Sequence, residues 1–294
     1  MTTRCKCFNL AFKLQKAVES DQIESFFRRA IQCITEEDYN KIIRFRFKDD
    51  SLSCLVGRLF LRQMAKKITG KPWYQIEFKT TDRGKPYMVD TGNLTFGMNI
   101  SHHGNYTVFS SSCSENVGVD VMKLEESRSH QSVDEYINFM AKSFSSEELR
   151  IMRSQETDFK KMTMFYRFWC LKESILKSTG IGIVKDLRNY DFRIDPAEPY
   201  EPGCFLTSTK LILKGVPSPQ WVFEESFLDE NHVIAVCREK DVPETCSRRS
   251  SNPRITFTEV GFDFLLDGAS VLNPLLEDGS GDFENFQEKS MKNF

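Results

Sequence analysis

No stretch of this chain approaches the roughly 20 apolar residues that a membrane-crossing helix needs. Met1 to Leu10, which includes Arg4 and Lys6, holds no apolar run of the kind that makes a secretion signal. A surplus of positive charge is also missing. The 40 Lys+Arg stand against 42 Asp+Glu, a formal net charge of −2, which argues against nonspecific nucleic-acid binding. Any anion bound here is bound locally. The nine cysteines are an odd number and contain no CxxC pair, so a disulfide-stapled secreted scaffold is not expected and a reduced, cytoplasmic (cytosolic) setting is. Only Cys5 and Cys7 are close together. With His102 and His103 they could in principle take zinc, but without a second close pair they read as reduced thiols with no metal.

What the chain does have is length and apolar content. Its 294 residues, 40% of them apolar, can bury a sizeable core in roughly two domain-sized units. Residues 54–68 read as an amphipathic helix with Leu55, Leu59, Phe60, Met64 and Ile68 inward, Arg58, Arg62 and Lys66 outward, and Gly70 as its stop. Strand-like runs follow at 74–78, 94–100, 106–110 and 117–122. Helical segments come next at 133–140, 145–153 and 158–179, the last ended by Gly180 and Gly182, and then strands at 190–194, 204–213, 221–226 and 232–237. Helix followed by strands occurs twice. That order predicts an α+β fold of two similar lobes, residues 1–115 and 116–238, in a pseudo-twofold arrangement. The polar and acidic residues 239–294 read as a mostly flexible tail, with Phe257 and Phe262 to Leu266 able to dock on the body.

Asp120 is the residue that needs explaining. It sits in Val117-Gly118-Val119-Asp120-Val121-Met122, where a charge flanked by valines must lose water. A hard divalent cation would offset that cost, since Mg²⁺ takes one or two carboxylates plus phosphate oxygens. Glu173 and Lys177, four apart in Trp169-Cys170-Leu171-Lys172-Glu173-Ser174-Ile175-Leu176-Lys177, share a helix face. Alone they would be a surface ion pair worth a few tenths of a kcal/mol; the bulky apolar neighbours make the face partly buried. The turn Thr80-Thr81-Asp82-Arg83-Gly84-Lys85-Pro86 offers backbone amides and two cations to a phosphate, or is an exposed charged hairpin. His102, in Asn99-Ile100-Ser101-His102-His103-Gly104 at a strand end, can donate to a phosphate oxygen or be a satisfied structural residue.

In this order and at these spacings, the RGKP turn, the NISHHG strand end, the GVDVM strand and the WCLKESILK helix resemble the 4′-phosphopantetheinyl transferases, nearest to their single-chain animal type. The resemblance covers about residues 40–238. It implies transfer of the phosphopantetheine arm of coenzyme A to a serine of apo acyl or peptidyl carrier protein domains, with release of adenosine 3′,5′-bisphosphate. Asp120 and Glu173 would hold Mg²⁺ against the diphosphate; Glu173 would accept the serine proton and Lys177 would meet the departing phosphate. Coenzyme A would lie on Lys41, Thr80, Thr81, Asp82, Arg83, Gly84, Lys85, Asn99, Ile100, Ser101 and His102, together with Asp120, Glu173, Ser174 and Lys177. Lys41 and His102 would be near its 3′-phosphate.

Two positions depart from the pattern. Lys41 stands where a human member of the family has arginine; the lysine keeps the charge and loses the bidentate fork. Met122 stands where bacterial relatives have a third acid, and animal members share that methionine. The resemblance further implies a monomer whose partners are carrier domains of fatty-acid synthase, aminoadipate-reducing or related enzymes, with no nucleic acid or membrane involved. The Arg58, Arg62, Lys66 row is a candidate face for the acidic carrier helix. The alternatives are a noncatalytic carrier-protein or coenzyme A-binding protein and a Mg²⁺-dependent nucleotide phosphohydrolase.

Overall fold

The computed structural model describes residues 5–125, 132–182, 186–244, 246, 257–275 and 278–292. The first lobe runs β1 (Asn9–Lys13), α1 (Leu14–Val18), α2 (Ile23–Gln32), α3 (Glu36–Ile42), α4 (Lys48–Thr69), β2 (Phe78–Thr80), β3 (Pro86–Met88), β4 (Gly97–His103) and β5 (Tyr106–Ser112). The second runs β6 (Val117–Lys123), α5 (Val133–Met140), α6 (Ser146–Arg153), α7 (Asp158–Thr179), β7 (Tyr190–Arg193), β8 (Phe205–Leu206), β9 (Lys210–Leu213), β10 (Val216–Pro217), β11 (Trp221–Asp229) and β12 (His232–Glu239). Then come β13 (Thr258–Glu259), α8 (Phe262–Leu266) and α9 (Ser280–Glu288).

Each lobe is organised on one 22-residue helix, α4 or α7, packed against a four-stranded sheet of order β13-β1-β5-β4 or β6-β12-β11-β8. Both helices end at a glycine in the left-handed region, Gly70 with φ 72° and Gly180 with φ 64°, where a side chain would be strained. The two sheets meet at their end strands, β4 and β6. Side chains rather than a ladder sew that seam: Val119 N–H donates to Asn99 Oδ1 at 2.9 Å and Lys123 N–H to His103 Nδ1 at 2.9 Å. His103 is thus a seam residue and not a companion of Cys5 and Cys7. Because β6 faces β4, whatever β6 presents is confronted by the other lobe.

Three expectations change. Residues 74–78 are not one strand: Trp73 is buried, its indole N–H donates to Cys33 O at 2.8 Å, and Trp73–Gln75 form a 3₁₀ turn before β2. The basic row on α4 is not an open docking face. Arg62 is only 5% exposed and donates to Ile76 O at 2.9 Å, Arg58 pairs with Asp38 at 2.9 Å, and Lys66 donates to Asp267 O at 2.7 Å. The cause is that α4 is covered almost all round, so i, i+4 charges cannot all reach water.

The described part of the tail packs on the first lobe rather than hanging free. β13 pairs in parallel with β1, Phe262 stacks on Phe26 with centroids 4.0 Å apart, and Phe286 stacks on Phe27 at 4.4 Å. Leu265, Phe283 and Phe286 are buried in that lobe's core. Apolar area removed from water decides here, although the surrounding composition is polar.

Candidate active site

Asp120 lies on β6 opposite Ala235 of β12, with Val119 and Val121 buried on either side, and its carboxylate enters the seam. Its Oδ1 accepts from Ser101 Oγ at 3.0 Å and from Lys177 Nζ at 2.6 Å, while Lys177 Nζ also donates to Ser101 Oγ at 2.8 Å. One oxygen is therefore fully engaged. The other, Oδ2, is buried and has no hydrogen-bond partner among the described residues. An orphaned carboxylate oxygen costs roughly 1–3 kcal/mol or more unless something occupies it.

Glu173 comes from α7, one turn before Lys177. Burial, and after it the negative charge of Asp120, push its carboxyl above the usual glutamate range, against an opposing pull from Lys177. A strand and a helix from distant parts of the chain thus bring two acids within electrostatic reach, one with an unsatisfied oxygen. This all-oxygen, doubly anionic set fits a hard divalent cation of the Mg²⁺ type.

Glu173 and Lys177 open onto a cleft of ≈ 400 Å³ between the lobes. Asn99, Ile100 and His102 of β4 form one wall, Arg83, Gly84 and Lys85 another, and Lys41 and Arg58 stand at the first-lobe side. The 81–85 turn closes through Gly84 N–H to Thr81 O at 2.8 Å and Thr81 N–H to Lys85 O at 2.9 Å, with Gly84 at φ 84°. Arg83 donates to Ile181 O, and Lys85 Nζ to Ser178 O at 2.6 Å. These cations complement the C-terminal end of α7, where carbonyls lack partners. Burial lowers the Lys85 ammonium to about 8.

The family description "4′-phosphopantetheinyl transferase, N-terminal" matches residues 21–114 and "4′-phosphopantetheinyl transferase superfamily" matches 116–237. The human L-aminoadipate-semialdehyde dehydrogenase-phosphopantetheinyl transferase is 32% identical over 256 residues, covering 83% of this chain and 81% of that protein. This chain belongs to the 4′-phosphopantetheinyl transferase superfamily. A phosphopantetheinyl transferase of Thraustochytrium is 33% identical over 210 residues, 70% of each chain. A 4′-phosphopantetheinyl transferase of Bacillus subtilis is 28% identical over 186 residues, 60% of this chain and 77% of its own.

Within this transferase the remaining sequence-derived positions divide clearly. Ser101 touches Asp120 and Lys177 directly, and Asn99 spends its carbonyl on the β6 backbone while its flank lines the cleft. Thr81 closes the turn through Oγ1, which accepts from Lys85 N–H at 3.1 Å, and Asp82 is exposed at the tip. Thr80 lines a separate cleft of ≈ 1050 Å³ beside Arg58. Ser174 is the correction. It is wholly buried and its hydroxyl donates to Leu171 O at 2.8 Å, so it holds helix packing and not ligand.

Lys172 is a residue the sequence reading passed over. Its ammonium is 2.9 Å from Glu148 Oε2 and donates to Leu187 O at 3.2 Å, with both partners of the pair essentially inaccessible. Neighbouring positions on a helix face apart, and this adjacency was the available signal: Lys172 cannot share the cleft face of Glu173. Glu148 in turn completes a capping box with Ser145 and accepts from Phe192 N–H at 2.9 Å. The lysine therefore anchors α7 to α6 and β7 while the glutamate beside it faces the cleft.

Proposed function

We propose that this 4′-phosphopantetheinyl transferase, which moves the phosphopantetheine arm of coenzyme A onto carrier-protein domains, does so with one Mg²⁺ held by Asp120 and Glu173. The observation that carries this reading is the buried, unpartnered Oδ2 of Asp120 beside a glutamate whose proton affinity is raised by burial and by Asp120 itself. When bound, the ion supplies charge neutralisation of the coenzyme A diphosphate and polarises its phosphorus toward attack. No helix among the described residues is long and apolar enough to cross a membrane, and we take the enzyme to act as a cytosolic monomer.

The protein's own groups do the rest. Glu173 accepts the proton of the carrier serine as its oxygen bonds to phosphorus. The bond from that phosphorus to the bridging oxygen breaks, and adenosine 3′,5′-bisphosphate leaves with the electron pair. Lys177, one helical turn away and in contact with Ser101, meets the charge developing on the departing phosphate. Ser101 orients the Asp120 carboxylate by donating to its Oδ1. Lys41, His102 and, from the 81–85 turn, Arg83, Gly84 and Lys85 line the cleft and take the 3′-phosphate and the diphosphate backbone. Acceptors are carrier domains of fatty-acid synthase, aminoadipate-reducing and related enzymes.

The test is intact-mass spectrometry of an apo carrier domain incubated with enzyme, coenzyme A and graded Mg²⁺. The unaltered chain adds the mass of one phosphopantetheine arm only when Mg²⁺ is present. Asp120→Ala and Glu173→Ala add none while keeping the circular dichroism of the parent. Labelling by either variant, or labelling that persists in chelator, overturns the assignment of the two acids.

A further inference from the structure

Away from the cleft, the sulfur atoms of Cys5, Cys7, Cys113 and Cys246 all lie within 4.8 Å of one another. They come from distant parts of the chain: the segment before β1, the connection between β5 and β6, and the stretch between β12 and β13. The separations are 3.9 Å for Cys5 to Cys113, 3.8 Å for Cys5 to Cys246, 3.7 Å for Cys7 to Cys113 and 3.4 Å for Cys7 to Cys246. A disulfide would bring one pair to about 2.05 Å. Four thiolates around a tetrahedral zinc ion at about 2.3 Å each sit about 3.8 Å from one another. The observed spacings bracket that figure.

The surroundings agree. Cys113 and Cys246 are 6% and 4% exposed, packed with Val242, while Cys5 and Cys7 close the outer side. The backbone N–H of Lys6 donates to Cys113 Sγ at 3.2 Å, a contact that stabilises a thiolate more than a thiol. Outer hydrogen bonds of this kind orient metal ligands.

We propose that Cys5, Cys7, Cys113 and Cys246 bind one structural Zn²⁺. Four sulfur ligands select zinc over Mg²⁺ or Ca²⁺, and four protein ligands leave no open position for catalysis. Binding exchanges four thiol protons, released to solvent, for one ion, so the site fills more readily as pH rises. Its work is to clamp the segment leading into β1 and the chain after β12 onto the end of β5. The sequence carries only the Cys5-Lys6-Cys7 half of this signal, because the other two ligands are singletons far away.

The experiment uses the full chain, expressed with added zinc and purified without chelator, and counts metal by plasma mass spectrometry. One zinc per chain is expected. Cys113→Ser with Cys246→Ser loses it, and Cys204→Ser, outside the cluster, keeps it. Should the double variant fail to fold, Co²⁺ exchange into the unaltered chain decides, because a four-sulfur site gives intense sulfur-to-cobalt charge-transfer absorption. Asp120→Ala retains the zinc, which separates this site from the catalytic one. A chain that carries no zinc and gives no cobalt thiolate band, or one whose non-reducing mass shows these cysteines paired as disulfides, overturns the proposal.

Discussion

Gly118 on β6 lies so close beneath Ser174 on α7 that a Cβ at Gly118 would meet the Ser174 carbonyl oxygen at 2.0 Å and the Ser178 nitrogen at 2.4 Å. Both obstacles are backbone, so no rotamer change relieves them. This contact sets the distance between the strand that carries Asp120 and the helix that carries Glu173 and Lys177. Gly118→Ala therefore has to push α7 away from β6. Overpacking of this kind costs about 1–3 kcal/mol and occasionally more, and the same displacement separates Asp120, two positions after Gly118, from Glu173, which is next to Ser174. The expected outcome is a lowered urea midpoint together with loss of carrier labelling. A parent-like midpoint would show that helix and strand are not held this tightly.

Much of this arrangement was legible because it depends on local pattern. Asp120 is conspicuous among valines, and α5 and α7 begin and end where periodicity and capping put them. What escaped depended on partners distant in sequence. Arg62 has the spacing of a solvent-facing charge, and only the Trp73 to Ile76 segment folding over it makes it a buried donor to carbonyls. Phe283 and Phe286 sit in a polar, acidic stretch that reads as mobile, yet the first lobe leaves an apolar surface for them beside Phe27. Residues 9–42 gave no secondary-structure reading, although α2 buries Ile23, Phe26, Phe27, Ala30 and Ile31 along one face at helical spacing. That signal was present and unread.

The Lys172–Glu148 pair predicts an asymmetry between single and double substitution. Burial lowers the lysine's proton affinity and raises the glutamate's, and each opposes this for the other. Removing one partner strands a buried charge or forces it neutral, at about 3–5 kcal/mol; replacing both with apolar residues of similar volume is often neutral. Lys172→Met alone should therefore lower the thermal midpoint strongly. Lys172→Met with Glu148→Leu should recover part of it, the rest staying lost because Glu148 also caps α6 and binds Phe192 N–H. Labelling per folded molecule should survive in the double variant. Additive losses would mean that the two residues do not act as a pair.

Glu173 gives a pH dependence whose sign follows from its raised proton affinity. Between the unfolded value of about 4.3 and the higher folded value, the native chain holds a proton that the unfolded chain has released. Stability without Mg²⁺ therefore falls as pH rises through that window and stays lowered above it. Glu173→Gln removes this contribution. It should match the parent at pH values below the window and exceed it in stability at neutral pH, while being unable to label a carrier. Added Mg²⁺ should then stabilise the parent and not the variant. Equal stability of the two proteins at neutral pH without Mg²⁺ would refute the burial argument.

Lys177 divides catalysis from metal affinity. Its ammonium, 2.6 Å from Asp120 Oδ1, is the countercharge of that acid, and in the proposed reaction it also meets the charge developing on the leaving phosphate. Lys177→Met should lower kcat by about 10²–10³, the range found when one donor to a developing oxyanion is removed. The same change removes the ammonium that competes with a cation for Asp120, so the Mg²⁺ concentration giving half-maximal labelling should fall. Lys177→Arg should restore little of the rate, because a planar fork cannot place its charge where a compact ammonium sits between Ser101 and Asp120. Stopped reactions with an apo carrier, read by mass over a Mg²⁺ series, give both quantities from one experiment. A reduced rate accompanied by a higher Mg²⁺ requirement would instead mean that Lys177 acts only by positioning Asp120, and an unchanged rate would remove it from the chemistry altogether.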